Sequence, residues 1–169
     1  YNDGILTVIS FASIFAQQSL SFSWQEILIL FAVSQASAIV GSLIFGFMTD
    51  KVGPKKAIIV SLICWLGVVL GAYLVPSKEV FYGIGVVAGA CMGGSQSASR
   101  SFMALLTPED REAEFFGFFD GFCGKASAVI GTFVFGVLSW ATGSQRIAVL
   151  AVGVFFLAGL ASLYFVQDP

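Results

Sequence analysis

The stretch Gly46-Phe-Met-Thr-Asp50-Lys51-Val-Gly53-Pro-Lys55-Lys56 decides how this chain is organised. It is a charged turn between two apolar runs, at residues 24–49 and 57–75. Each run is long enough to cross the hydrocarbon core of a bilayer, which takes about 20 apolar residues. The Gly-Pro step favours a tight turn, and the lysines favour the cytoplasmic side of a membrane. The stretch therefore predicts two antiparallel transmembrane helices joined by a short loop.

The composition of the whole chain is that of an integral membrane protein. Of its 169 residues, 57% are hydrophobic and only 11% are charged, whereas about a quarter of the residues in a soluble domain are charged. The net charge is −2, without the basic excess typical of nucleic-acid binding. These values exclude a soluble enzyme, a disordered chain and a nucleic-acid-binding protein. The sequence contains no His, and we expect neither a metal site nor a cofactor.

Polar breaks divide the sequence into six apolar segments. We predict a transmembrane helix in each, at residues 1–18, 24–49, 57–75, 80–106, 113–141 and 147–166. The predicted fold class is all-α, a polytopic membrane protein with six transmembrane helices. Outer-membrane strands are excluded, because they are about ten residues long and alternate in polarity.

Basic residues predict the orientation of these helices. The loops after the second and fourth helices contain Lys51, Lys55, Lys56 and Arg111, whereas the loops on the opposite side contain only two basic residues. The positive-inside rule therefore places the first pair of loops in the cytoplasm.

Polarity follows the same order in both halves of the sequence. The first two helices of each triplet carry polar residues, and the third is almost wholly apolar. A short internal sequence similarity agrees with this order: Gly41-Ser-Leu-Ile-Phe-Gly-Phe resembles Gly131-Thr-Phe-Val-Phe-Gly-Val. Because three helices per unit is an odd number, the second triplet enters from the opposite side. The pattern predicts a 3+3 inverted repeat, an arrangement found in secondary transporters.

Polar residues within the helices are the candidates for a substrate or ion pathway. A charge at the centre of a bilayer costs about 2.5–3.5 kcal/mol on insertion scales, so such residues are expected to face a cavity or a partner. The candidates, called the pathway residues below, are Asp3, Thr7, Ser10, Gln35, Gln96, Arg100, Asp120 and Lys125.

The charged pathway residues have alternative interpretations. Arg100 and Asp120 lie at similar depth on consecutive helices, which predicts an ion pair with a structural or gating role, or else a direct role in substrate binding. Lys125 faces another direction from Asp120, and it either meets an anionic substrate group and carries a proton, or snorkels or pairs with an acid elsewhere in the protein. Asp3 is either a proton-coupling carboxylate or an N-terminal helix cap.

A row of small residues runs along the fourth predicted helix. Gly85, Gly89, Gly93, Ser97 and Ser101 are spaced four apart and so share one face. Such a row lets another helix approach closely, either as static packing or as a surface that slides.

The 46–56 motif resembles the G-x-x-x-D-[RK]-x-G-[RK]-[RK] signature of major facilitator superfamily transporters, which lies between the second and third helices of each half. The matching positions are Gly46, Asp50, Lys51, Gly53, Lys55 and Lys56. The sequence departs from the signature at Pro54, where a basic residue is common. The resemblance covers nearly the whole chain and implies that residues 1–169 form one six-helix domain. It would be the C-terminal half of a twelve-helix transporter, with Asp50 closing a gate against the absent N-terminal half.

Two further stretches are similar to one family within this superfamily. They are Tyr1-Asn2-Asp3-Gly4-Ile-Leu-Thr7 and Gly94-Ser-Gln96-Ser-Ala-Ser99-Arg100-Ser101, the latter followed by a polar turn and Glu114-Phe-Phe-Gly117. The family includes bacterial members and the autophagy-related vacuolar amino-acid effluxers of fungi. The resemblance implies secondary active transport of a small solute by alternating access, with amino-acid efflux as one form of it.

The resemblance also implies the partners and the location of the protein. The partners would be the lipid bilayer, the N-terminal six-helix half of the same polypeptide, a small-molecule substrate and H+, and no nucleic acid. We expect a bacterial inner (plasma) membrane rather than a vacuolar membrane. The chain begins at Tyr1 without an initiator Met, which we interpret as a piece of a longer polypeptide.

Two other functions were weighed against transport. A membrane-embedded enzyme would need acids clustered around a divalent ion, with Asp3-Gly4 and Asp120-Gly121 as fragments of that site, but the acids are scattered. A non-transporting membrane scaffold would gain little from charges placed in lipid. We therefore expect a transporter and no enzymatic activity.

Overall fold

The computed structural model describes residues 1–166, including all of their side chains except those of residues 109, 120, 122–124 and 126–128. Within this part of the chain every regular element is helical, and no strand occurs. The elements are α1 (Asn2–Leu20), α2 (Trp24–Val52), α3 (Pro54–Leu74), α4 (Lys78–Leu106), a 3₁₀ turn (Glu109–Arg111), α5 (Glu112–Phe116), a π-helical segment (Gly117–Cys123), α6 (Gly124–Thr142) and α7 (Gln145–Phe165).

The fifth predicted helix, residues 113–141, is not one continuous α-helix. It is divided into α5, the π-helical segment and α6. The division falls where Gly117, Gly121 and Gly124 follow one another at short intervals, and glycine disfavours the α-helix by about 1 kcal/mol per residue relative to alanine. Short π-helical segments inside α-helices are frequent at functional sites.

Three helices are long and apolar enough to cross a membrane among the residues that the structure describes. They are α2, α3 and α7, and Val129–Thr142 within α6 forms a shorter apolar helix. Three of the six predicted spans, those at α2, α3 and α7, are therefore long and apolar enough to cross a membrane. α1 has 19 residues and α4 has 29, but neither contains an 18-residue stretch as apolar as those in α2, α3 and α7.

The turn between α2 and α3 is a single glycine. Gly53 has φ of 90°, a conformation that L residues with a side chain rarely adopt, and its N–H donates to the carbonyl of Thr49 at 3.0 Å. Pro54 then occupies the first turn of α3, where its missing N–H is no loss. The tight turn predicted from the sequence is confirmed.

Helix α2 packs against α4 as a parallel pair. A Cβ added at Gly89 would meet the backbone of Ser34, and one added at Gly93 would meet the backbone of Ala38. On the opposite helix, a Cβ added at Gly41 would meet the backbone of α4. The small-residue row therefore lets the two backbones touch, as predicted. At the start of both helices, Glu26 of α2 pairs with Lys78 of α4 at 2.8 Å.

Helix α3 packs against α4 and α7, and its contact with α7 is fixed at both ends. Lys55, the second residue of α3, donates to the carbonyl of Val166, which caps the C-terminus of α7. Arg146, the second residue of α7, donates to the carbonyls of Tyr73 and Val75 at the C-terminus of α3, both at 3.2 Å. Each helix thus supplies a cation to the negative end of the other.

The α2–α4 contact predicts a strong difference between two Gly→Ala substitutions on α4. Gly89→Ala should lower the melting temperature of the full-length protein in detergent, because the new methyl group meets the backbone of Ser34. Gly83→Ala is the matched control, since a Cβ there meets nothing within 4 Å. Its melting temperature should stay equal or rise, because alanine favours the helix by about 1 kcal/mol. Equal destabilisation by both substitutions would contradict the described contact.

Candidate functional site

A buried carboxylate joins α1 to α6. Asp3 is 8% exposed, and its Oδ1 accepts a hydrogen bond from the backbone N–H of Gly131 at 2.7 Å. One turn later, the fully buried hydroxyl of Thr7 donates to the carbonyl of Asp3 at 2.7 Å. A Cβ at position 131 would collide with both side chains. Only a glycine in α6 therefore lets α1 come this close.

The contact decides between the two interpretations of Asp3 only in part. The N-cap of α1 is Tyr1, and α1 has no side-chain cap hydrogen bond among the described residues. Asp3 lies in the first turn as expected, but its carboxylate is directed at α6 instead of capping its own helix. The interpretation as a helix cap is therefore wrong, and the role in proton coupling stays a prediction.

A second set of buried polar side chains, called the Ser95 group below, links α3 to α4 through Ser61, Trp65 and Ser95. Ser95 lies at its centre: its Oγ is 2.5 Å from the Oγ of Ser61, accepts from Nε1 of Trp65 at 3.1 Å, and donates to the carbonyl of Cys91 at 2.5 Å. Ser61 and Trp65 are fully buried, and Ser95 is 1% exposed. The indole of Trp65 stacks on Phe156 of α7, with ring centroids 5.5 Å apart.

Sequence reasoning missed this buried group. It treated the third helix as almost wholly apolar. The available signal was the i, i+4 spacing of Ser61 and Trp65 on α3 and of Ser95 and Ser99 on α4, which places polar atoms on one face of each helix. Ser99 extends the group to α1, since its hydroxyl hydrogen-bonds the phenol of Tyr1.

The other pathway residues are not gathered with Asp3 and Thr7. The five of them whose side chains are described lie exposed on the surface of the bundle: Ser10, Gln35, Gln96, Arg100 and Lys125. The side chain of Asp120 lies outside the described part of the structure, so its pairing with Arg100 stays a prediction. Among the described side chains, Asp3 and Thr7 are thus the pathway residues that meet at one point, beside Gly131.

The residues of the 46–56 motif fall into two groups. Asp50, Lys51 and Lys56 are exposed, whereas Lys55 is bound to the end of α7. A Cβ at Gly46 would reach only the Oγ of Ser97, at 4.0 Å, so the described contacts do not require a glycine at this position.

No group of three His, Cys, Asp or Glu side chains that could hold a metal ion occurs among the described residues. Asp3, one of the acids considered for an enzymatic metal site, is instead engaged with the backbone of α6.

Comparisons with known proteins agree over almost the whole chain. A protein family described as "Vacuole effluxer Atg22 like" matches residues 1–168. An uncharacterized MFS-type transporter, YxiO of Bacillus subtilis (strain 168), is 29% identical over 168 residues, which cover 99% of this chain and 39% of the relative.

Fungal proteins are similar at comparable levels. Autophagy-related protein 22 of Candida glabrata is 27% identical over 157 residues, covering 86% of this chain and 29% of the relative. The protein of the same name from Eremothecium gossypii is 27% identical over 170 residues, covering 94% and 33%. The chain therefore spans between 29% and 39% of the length of these relatives.

The Asp3–Gly131 contact predicts the effect of changing Asp3. Asp3→Ala should destabilise the full-length protein by about 1.5–3 kcal/mol, the usual contribution of a hydrogen bond to a charged group. Asp3→Asn should cost less, because its amide oxygen can still accept from Gly131. The exposed Ser10→Ala on the same helix is the control and should leave stability unchanged. Denaturation in detergent measures all three, and an Asp3→Ala protein as stable as Ser10→Ala would contradict the contact.

Proposed function

The chain belongs to the vacuole effluxer Atg22-like family, and we propose that the protein it forms is a secondary transporter that moves a small solute across a membrane. The observation that carries this proposal is the family match over residues 1–168. The apolar helices α2, α3 and α7 support a location in a bilayer. The names of the relatives, an MFS-type transporter and autophagy-related protein 22, state no enzymatic activity.

We propose that all six long helical regions cross the membrane as a 3+3 inverted repeat. In this arrangement α1, α2 and α3 are equivalent to α4, the region from α5 to α6, and α7. The packing supports the proposal, because exchanging the first triplet with the second turns the main pairs of contacting helices into pairs that are also in contact. The pair α2–α4 becomes α6–α1, and the pair α3–α7 becomes itself.

Individual residues support the same exchange. Gly41 of α2 approaches the backbone of Ala90 on α4, and its counterpart in the repeated stretch, Gly131 of α6, approaches Asp3 on α1. The same exchange of triplets also converts one helix cap into the other, since Lys55 of α3 binds the end of α7 and Arg146 of α7 binds the end of α3. A two-fold axis in the membrane plane would relate these contacts, as in inverted-repeat transporters.

The chain is proposed to be one half of the transporter. Its relatives are between two and four times as long as the aligned region, which leaves room for a second six-helix unit. The exposed side chains of Gln35, Gln96 and Lys125 support this, because polar and charged groups on membrane-spanning helices normally face a cavity or a protein partner instead of lipid. The substrate would pass between the two halves, along these residues.

The proposed mechanism is alternating access by rocking of two rigid halves. The reciprocal α3–α7 caps and the Ser95 group would keep this half rigid, while Asp50 would meet the other half at the cytoplasmic surface. Because Lys55 ties the 46–56 motif to α7, a force at the gate would reach α7 directly. Proton uptake by Asp3 would weaken its hydrogen bond to Gly131, which offers a route for H+ coupling. Arg100 with Asp120 is proposed as a structural or gating pair.

The finer assignments are an amino acid as the solute, efflux as the direction and the bacterial inner membrane as the location. They follow from the resemblance of the sequence to its family and are proposed on that ground alone. No cofactor is proposed, because the solute or ion gradient would supply the driving force.

Reconstitution of the full-length protein tests the proposed transport. Proteoliposomes loaded with a mixed amino-acid panel should release at least one of its members, and an imposed pH gradient should change the rate if H+ is coupled. Protein-free liposomes are the control. Release at the protein-free rate for every solute, under gradients of both signs, would contradict the proposal.

Lys125 offers a residue-level test of the pathway. Lys125→Ala should reduce transport roughly 10- to 100-fold, since losing a hydrogen bond to a charged group costs about 1.5–3 kcal/mol. Lys125→Arg retains the charge and should keep a larger part of the activity. Unchanged transport by Lys125→Ala would remove this residue from the pathway.

A further inference from the structure

A cavity of about 130 Å³ lies inside the bundle, between the two helix triplets. Its walls come from α1, α2, α3, α4, α6 and α7, and most of the lining side chains are apolar. The described aromatic side chains that line it are Phe11, Phe15, Phe31, Trp65, Phe81 and Phe135. Because an apolar protein cavity of about 150 Å³ stays dry and takes up benzene, this cavity has room for about one aromatic ring.

The cavity meets the outer surface of the bundle beside a pathway residue. Among the described lining residues, Gln35 of α2 is the exposed one, and the others are buried or half-buried. Gln35 also belongs to the polar residues along which the proposed function routes the solute. The helices α1 and α2 touch only marginally, which leaves the gap between them open on this side. A solute between the two halves of the transporter would therefore meet this cavity at Gln35.

The interior of the cavity and its edge at Gln35 suit different chemical groups. The hydroxyl of Ser34 is already used, since it donates to the carbonyl of Gly85 at 3.0 Å, and no charged side chain occurs among the described lining residues. A polar group inside the cavity would therefore lose its hydrogen bonds. At the edge, the amide of Gln35 can both donate and accept. The arrangement fits a ligand with an apolar group inside the cavity and polar atoms outside it.

We propose that this cavity is a subsite for a single aromatic ring of the transported solute, with the polar part of the solute held at Gln35. Aromatic rings attract one another in offset-stacked and edge-to-face arrangements, in addition to the effect of the apolar area that they bury. A bound ring also supplies the dispersion contacts that an empty space lacks. The substrate class is therefore a small molecule that joins one aromatic ring to a polar group. This inference rests on the proposed transport, because it specifies the solute of that pathway.

Release rates of four amino acids test the specificity. Proteoliposomes with the full-length protein are loaded with phenylalanine, leucine, alanine or serine, which share their polar part, at equal low concentrations. Phenylalanine should leave roughly 10- to 100-fold faster than alanine, because its whole side chain is buried in the cavity. It should leave roughly 2- to 10-fold faster than leucine, because of the added attraction between aromatic rings.

Binding is measured separately, by photolabelling the same protein with para-azidophenylalanine. Irradiation and peptide mapping should place label on cavity-lining residues such as Phe11 or Phe31, and excess phenylalanine should remove it whereas excess alanine should not.

Substitutions that fill the cavity connect both measurements to this site. Ala88→Leu should abolish the label and the advantage of phenylalanine over alanine, because Ala88 lines the cavity. Ala161→Leu adds the same volume on the exposed surface of α7 and should retain both. Ala12→Leu fills the cavity from α1 and replaces Ala88→Leu if that variant does not fold.

The contrary outcomes separate this proposal from the proposed transport. Release of alanine or serine as fast as phenylalanine, without cavity label, would overturn the subsite and leave transport standing. Faster release of leucine than of phenylalanine would overturn the aromatic specificity. A preference for phenylalanine that survives Ala88→Leu would place the ring elsewhere and leave the cavity to the other half of the transporter. Absence of both label and release would contradict both proposals, whereas cavity label without release would retain the ring site and overturn only the transport.

Discussion

Direct contact between helix backbones is the constraint on which the rest of this structure depends. Between helices in a bilayer there is little hydrophobic driving force, because lipid tails are as apolar as the side chains, and close packing and polar contacts must hold the helices together. In this chain the α2–α4 pair touches through Gly41, Gly89 and Gly93, where a single added carbon would collide with the opposite backbone. With that pair fixed, α3 packs onto α4 and carries α7 with it.

Polar contacts determine where the remaining helices lie. Asp3 positions α1 on α6 through one backbone N–H, the Ser95 group joins α3 to α4, and Lys55 and Arg146 cap α7 and α3 reciprocally. Each of these groups satisfies a backbone or side-chain atom that could not be left unpaired away from water. The same contacts leave α1 and α2 apart and so create the apolar cavity. A rigid half with an exposed polar surface is what the proposed rocking mechanism requires.

Local features of this fold could be predicted from the sequence, whereas long-range partners could not. The tight turn at Gly53 and Pro54 and the close approach along Gly85, Gly89 and Gly93 follow from residue type and spacing alone. The partner of Asp3 lies 128 residues away, and nothing near Asp3 indicates that it meets a backbone N–H of Gly131. Ser61 and Trp65 were overlooked because one serine in an apolar helix does not alter its overall hydrophobicity. The π-helical segment depends on a group of glycines that a search for apolar runs passes over.

The central claim is that six helical regions cross the membrane as an inverted repeat, and cysteine accessibility in the full-length protein tests it most directly. With Cys64, Cys91 and Cys123 replaced by serine, single cysteines are placed at Lys56, Ser77, Arg111 and Ser144. The account predicts that positions 56 and 111 react with a membrane-impermeant maleimide only from the cytoplasmic side, and positions 77 and 144 only from the opposite side. Reaction of positions 56 and 111 from opposite sides would contradict it, because α3 and α4 could not then both span the bilayer.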